Sequence, residues 1–130
     1  LSPKPFIEKR QHPRVADSVP LKISSADFDF VTETRNISCS GVYCKVDKYI
    51  EPMTRLDICL LLPVRKNGRR TTKKVCCCGV VVRIENILNE DCFNTAIFFS
   101  DIHPRDSRVL ADFVESVVAA KKGPVKSEGL

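Results

Sequence analysis

Histidine is scarce, long apolar runs are missing, and there is no C-x-x-C. Each shortage removes a class of function. The only histidines are His12 and His103. None of the seven cysteines forms a C-x-x-C, and Cys76, Cys77 and Cys78 are consecutive. Neighbours on a strand point to opposite faces, so such a run cannot grip one ion from one side. The chain is therefore expected to hold no metal. No stretch approaches the ~20 apolar residues of a membrane helix, and the N-terminus lacks the apolar segment of a signal peptide. There is no G-x-x-x-x-G-K-[ST] loop, which excludes a P-loop nucleotide site. No acid–base pair and no nucleophile with an orienting partner stands out, so a binding module is expected rather than an enzyme. An odd number of cysteines without a spacing pattern reads as small buried hydrophobes in a reducing cytoplasm. The start at Leu1, not Met, suggests an excised piece whose neighbouring domains are missing.

What is present is enough for one domain. At 130 residues, 43% hydrophobic and 28% charged, the chain has ordinary globular composition and the length to bury a single core. Its dominant period is two. Val19, Leu21 and Ile23 alternate with Pro20, Lys22 and Ser24, which predicts a half-buried strand. "FDFVTETRNIS" is rich in aromatic and β-branched residues and predicts a second. "VYCKV" puts Val42, Cys44 and Val46 on one face, and "RLDICLLLP" does the same with Leu56, Ile58, Leu60 and Leu62. Asn67-Gly68 signals a tight hairpin into "KKVCCCGVVVRIE", a long apolar strand in which Gly79 suggests a bulge. "NILNED" is a turn before a last strand, "FNTAIFF". The period then changes: Leu110, Phe113, Val114 and Val117 follow helical spacing, with Pro104 and Asp106 suited to the first turn. Six strands, one helix and no βαβ rhythm predict a mainly β fold: a six-stranded antiparallel barrel with one C-terminal α-helix. The division expected is an arm over residues 1–18, the barrel and helix over 19–118, and a flexible tail over 119–130.

The net charge is +5, and much of it sits in "RKNGRRTTKK" (65–74). A basic segment suits an anionic partner, but a solvated hairpin is the plainer reading. Nucleic-acid binding through this segment is set behind the readings below, because it holds no aromatic on which bases could stack.

Two polar stretches remain. "IEKRQHPRVADSVPLKI" places Arg10 and Arg14 ahead of the first strand, and "RNISCSG" ends the second strand in a turn. Alternation sends Asn36 and Ser38 to one face, and Gly41 permits a sharp or positive-φ turn. If the first two strands pair, the arginines and the Asn/Ser pair converge on one rim of the barrel. Guanidinium forks suit phosphate and the guanine O6/N7 edge, and an amide suits a base edge. Together they point to a guanine nucleotide.

"RQHPR" and "NISCSG" resemble the R-x-x-x-R and [D/N]-x-S-x-x-G motifs of PilZ domains, bacterial receptors for cyclic di-GMP. "SGVYCKV", "GVVVRIE" and "TAIFFSDIHPRDSRVLADFV" follow in the order expected of that family. The resemblance implies a PilZ-type barrel with cyclic di-GMP as ligand and no other cofactor. It implies Arg10 and Arg14 as phosphate and guanine grips, Asn36 and Ser38 as guanine partners, Gly41 at the exposing turn, and Arg83 stacked on a base. It also implies an arm that orders on ligand binding and so regulates a neighbouring domain or protein in motility, exopolysaccharide or adhesion. A ligand-free interaction scaffold of the same family is the alternative, and a nucleic-acid-binding barrel a more distant one.

Overall fold

A computed structural model describes the chain from residue 14 to residue 128. Six strands run in order: β1 (Pro20–Ser24), β2 (Asp29–Ile37), β3 (Gly41–Val46), β4 (Arg55–Lys66), β5 (Arg69–Asn86) and β6 (Phe93–Asp101). A helix, α1 (Pro104–Glu128), follows. All pairings are antiparallel, and the sheet closes on itself in the order β1-β2-β3-β6-β5-β4. Closure removes the exposed edges that an open sheet leaves unpaired.

The interior is the alternating set that the sequence displays. Leu21, Ile23, Val42, Cys44, Val46, Leu56, Ile58, Leu60 and Leu62 are all buried. The helix adds Leu110, Phe113 and Val114 on its apolar stripe, with Val117 packed at the margin. His103 begins the helix: its backbone oxygen accepts from Ser107 N–H at 2.9 Å and its Nδ1 from Arg105 N–H at 3.1 Å. At the hairpin tip, Asn67 and Gly68 both take positive φ (54° and 77°), as a two-residue turn between twisted strands requires. Gly79 marks a shift of register between β5 and β6. A Cβ there would come within 2.5 Å of the Ile58 side chain and 2.7 Å of Ile97.

Val15, ahead of β1, is already in the core at 3% exposure, and the helix backbone runs to Glu128. One expectation is corrected: the cysteines are not uniformly buried, and of the seven only Cys44 is. Cys59 and Cys76 face each other across β4 and β5, with Cα atoms 4.1 Å apart, and form a disulfide. Short Cα separation is what brings two facing side chains within bonding reach. Among the described residues no helix is long and apolar enough to cross a membrane. No group of three or more His, Cys, Asp or Glu there is placed to hold a metal ion.

Burial pushes the Cys44 thiol up to about 12. Cys77 is also pushed to about 12, by burial first and then by Cys78, Asp106 and Asp101. Both should resist alkylation of the folded protein at about pH 8, since the thiolate is the reactive form. Mass mapping should find them modified only after denaturation. Without reductant, a Cys59→Ala/Cys76→Ala variant should melt earlier, by up to about 3 kcal/mol of stability. Most of that difference should vanish when the parent is reduced.

Candidate functional site

One cleft on the outer wall of the barrel gathers most of the polar residues singled out above. It crosses four neighbouring strands, β2-β3-β6-β5, near the β2–β3 turn. Arg14, Asn36, Ser38, Gly41 and Arg83 line it, and its volume is about 110 Å³. Ser40, Tyr43, Val82, Ala96 and Phe98 complete its walls and floor. Arg10 lies outside the described residues.

Each position has a local cause. Arg14 is held because Val15 pairs with Ile37: each backbone N–H donates to the other residue's carbonyl at 2.9 Å. With Val15 buried, its exposed neighbour Arg14 is fixed beside the end of β2. The chain ahead of β1 is thus anchored by a buried valine.

Asn36 owes its direction to a bulge. Thr34 pairs with Cys44, but Asn36 pairs with Tyr43, so Arg35 is an extra residue on β2. Strict alternation would turn Thr34 and Asn36 to the same side. The extra residue shifts the phase, so Thr34 and Ile37 both face inward, at 3% and 0% exposure. Asn36 is left half-buried, looking into the cleft. Simple two-residue spacing therefore reaches a correct juxtaposition for an incomplete reason, because β2 ends at Ile37 and Ser38 belongs to the turn.

Ser38 is buried at 4% exposure. Its Oγ accepts from Ser40 N–H at 3.2 Å and lies 3.1 Å from Ser40 Oγ, while its own N–H donates to Gly41 O at 2.9 Å. These bonds shape the turn as a serine turn does. Of the two turn geometries that Gly41 permits, positive φ is not used; among the described glycines only Gly68 has it. Gly41 is needed for close approach instead. A Cβ there would run into the Ile97 carbonyl oxygen and sit 3.3 Å from Phe98 Cα.

The opposite wall uses a second bulge. Val81 pairs with Ile97, but Arg83 pairs with Ala96, so Val82 is extra on β5. Val82 and Arg83 are both exposed as a result. Arg83 Nε lies 3.8 Å from Glu85 Oε2, and Tyr43 OH donates to Glu85 Oε1 at 3.5 Å. The Arg83–Glu85 pair is well exposed and so holds Arg83 only weakly. Between the bulged walls, Gly41 faces Phe98 and Tyr43 faces Ala96 across β3 and β6. Small residues make the floor there, and Phe98, 49% exposed, stands over it.

The result is a shallow slot with an amide, two hydroxyls and a phenol, two guanidiniums at its sides, and an aromatic face. Such a set can hold an anion through charge-assisted hydrogen bonds while a flat ring lies against Phe98. Tyr43, Ser40, Val82 and Phe98 were missed in the sequence. Alternation marks Tyr43 and Phe98 as outward-facing, but only the β3–β6 register places them in the cleft.

Comparison with protein families matches the PilZ domain over residues 8–116. Comparison with curated proteins finds no match. Among solved structures, the Bacillus subtilis inhibitor of motility (MotI/DgrA) is similar with a TM-score of 0.70 and 19% identity. That likeness covers 85% of this chain and 51% of the other, so the chain spans about half the length of that protein. The PilZ domain with c-di-GMP of YcgR from Escherichia coli is similar with a TM-score of 0.58 and 11% identity, over 94% of this chain and 99% of that one. At these identities the likeness is one of fold.

Two substitutions test how the cleft is built. Gly41→Ala should lower stability by about 1–3 kcal/mol through overpacking against β6, measured by chemical denaturation. Val15→Ala should cost about 2 kcal/mol or less and speed hydrogen exchange at the Ile37 amide more than at core amides of β4.

Proposed function

Since the chain belongs to the PilZ domain family, we propose that it is a receptor module for cyclic di-GMP rather than an enzyme. One observation carries the reading: Arg14, Asn36, Ser38, Gly41 and Arg83, drawn from the arm, the end of β2, the β2–β3 turn, the start of β3 and β5, line a single cleft. A structure of the YcgR PilZ domain with c-di-GMP supports the ligand class at the level of the fold.

The roles follow from chemistry. Arg14, with Arg10 from the preceding segment, grips phosphate oxygens and the guanine acceptor edge as a planar fork. Asn36 offers both donor and acceptor to a base edge, and Ser38 a hydroxyl. Arg83 leaves its weak pairing with Glu85 to lie over a base or meet a phosphate. Binding orders the segment ahead of Val15 against the barrel wall and changes the surface presented to a partner domain or protein. In the cytoplasm, where such a second messenger acts, thiol buffers would keep Cys59 and Cys76 largely reduced.

Calorimetric titration of cyclic di-GMP into the whole chain tests the reading. Saturable binding is expected, weakened about tenfold to a hundredfold by Arg14→Ala, the loss of one charge-assisted contact. An Arg10→Ala/Arg14→Ala variant should show no binding. Absence of heat and of competition with a fluorescent analogue in the parent would favour the ligand-free scaffold. Hydrogen exchange of residues 1–14 should slow with ligand; equal exchange with and without it would sink the switching step.

A further inference from the structure

The basic segment that composition left as a solvated hairpin is a built arm. β4 pairs with β1 only as far as Leu60, and β5 pairs with β6 only from Cys78 onward. From Leu61 to Lys74 the two strands pair with each other alone, as a ribbon extending past the barrel wall. Its base is anchored by Leu62, which is fully buried, and Val64, which packs at the core margin. A two-stranded ribbon without such an anchor is at best marginal in water.

The charge on this ribbon works against its own folding. Arg65 stands directly opposite Arg70, and like charges facing across strands are destabilising. Arg65, Arg69, Arg70, Lys73 and Lys74 are all exposed, and none takes part in an ion pair among the described residues. Arg65 and Arg70 border a groove shared with Asp17 and with Phe113, Ser116, Val117 and Ala120 of α1, and neither arginine pairs with Asp17. The sequence from Leu61 to Lys74 holds six basic residues and no acidic one; the rest of the chain has 15 basic against 16 acidic. All of the protein's net positive charge therefore sits on this arm.

The arrangement also discriminates among anionic partners. Arg69 and Arg70 are consecutive, as are Lys73 and Lys74, so alternation sends one of each pair to either face of the ribbon. A flat membrane or an acidic protein patch meets one face. The walls of a DNA groove place phosphates on both sides, and the major groove, about 12 Å wide, admits a two-stranded ribbon. The absence of aromatics removes stacking on a single strand, and the deep, narrow major groove of duplex RNA excludes such a ribbon. We propose that the β4–β5 ribbon is an arm for the phosphate backbone of duplex DNA, seated in its major groove. No residue of the ribbon lines the Arg14–Asn36–Arg83 cleft, so this site is independent of the one for cyclic di-GMP.

The test uses the whole chain without dinucleotide and a fluorescein-labelled duplex of about 20 base pairs, read by anisotropy. Binding at about 50 mM salt is expected to fall roughly 500-fold by about 200 mM if all five side chains meet phosphates. Arg69→Gln/Arg70→Gln/Lys73→Gln should weaken binding at least about tenfold and lower the salt slope by about three. Lys48→Gln/Arg105→Gln/Arg108→Gln removes the same charge elsewhere and should change affinity less than about threefold. Should the first variant melt early, Arg69→Gln alone decides, with an expected slope change of about one. The proposal is overturned by no duplex binding at low salt, by equal losses in the two triple variants, or by an unchanged slope. It is also overturned if anionic phospholipid vesicles are bound and the duplex is not.

Discussion

In a closed barrel each strand has one face for the core and one for solvent, and the two side walls of the cleft depend on where that alternation is broken. The extra residue Arg35 on β2 lets Thr34 and Ile37 both turn inward, so the core stays sealed while Asn36 looks out. The extra residue Val82 on β5 does the same for Arg83. Between them, β3 and β6 must approach closely enough that Gly41 has no room for a side chain. Two phase shifts and one close contact thus turn a smooth wall into a slot, without giving up any core burial.

Packing also decides how well the cleft is organised before any ligand arrives. Burying Val15 and pairing its backbone with Ile37 ties Arg14 to the same strand end that carries Asn36 and leads into Ser38. Ordering a chain end costs conformational entropy, and a buried valine with two backbone hydrogen bonds offsets part of it in advance. Arg14 is accordingly a fixed element of the cleft.

The molecule separates its charges as cleanly as it separates its faces. The cleft is mixed, with Glu85 set among Arg83 and Tyr43. The ribbon is purely cationic and stands where strand pairing with the rest of the barrel has ended. The cross-strand disulfide of Cys59 and Cys76 lies at the root of that ribbon, one pair of residues below the last barrel-bound position of β4. Whatever closes or opens that bond therefore acts on the base of the arm.

Much of this was legible without coordinates. The alternation of Leu56, Ile58, Leu60 and Leu62, the Asn67-Gly68 turn and the helical spacing of Leu110, Phe113, Val114 and Val117 determined six strands and a helix, because local periodicity dictates which face is buried. The motif residues Arg14, Asn36 and Ser38 were legible through a family resemblance. What the sequence could not supply was everything set by register between strands distant in the chain. Strict counting cannot foresee a bulge, so the true reason for Asn36's direction, the placement of Phe98 and Tyr43 in the cleft, and the facing of Cys59 with Cys76 came only from the tertiary structure. So did the use of Gly41, which the sequence assigned to a turn and the fold assigned to a contact. Pairing partners are chosen by the closure of the whole barrel, a non-local condition that no window of residues contains.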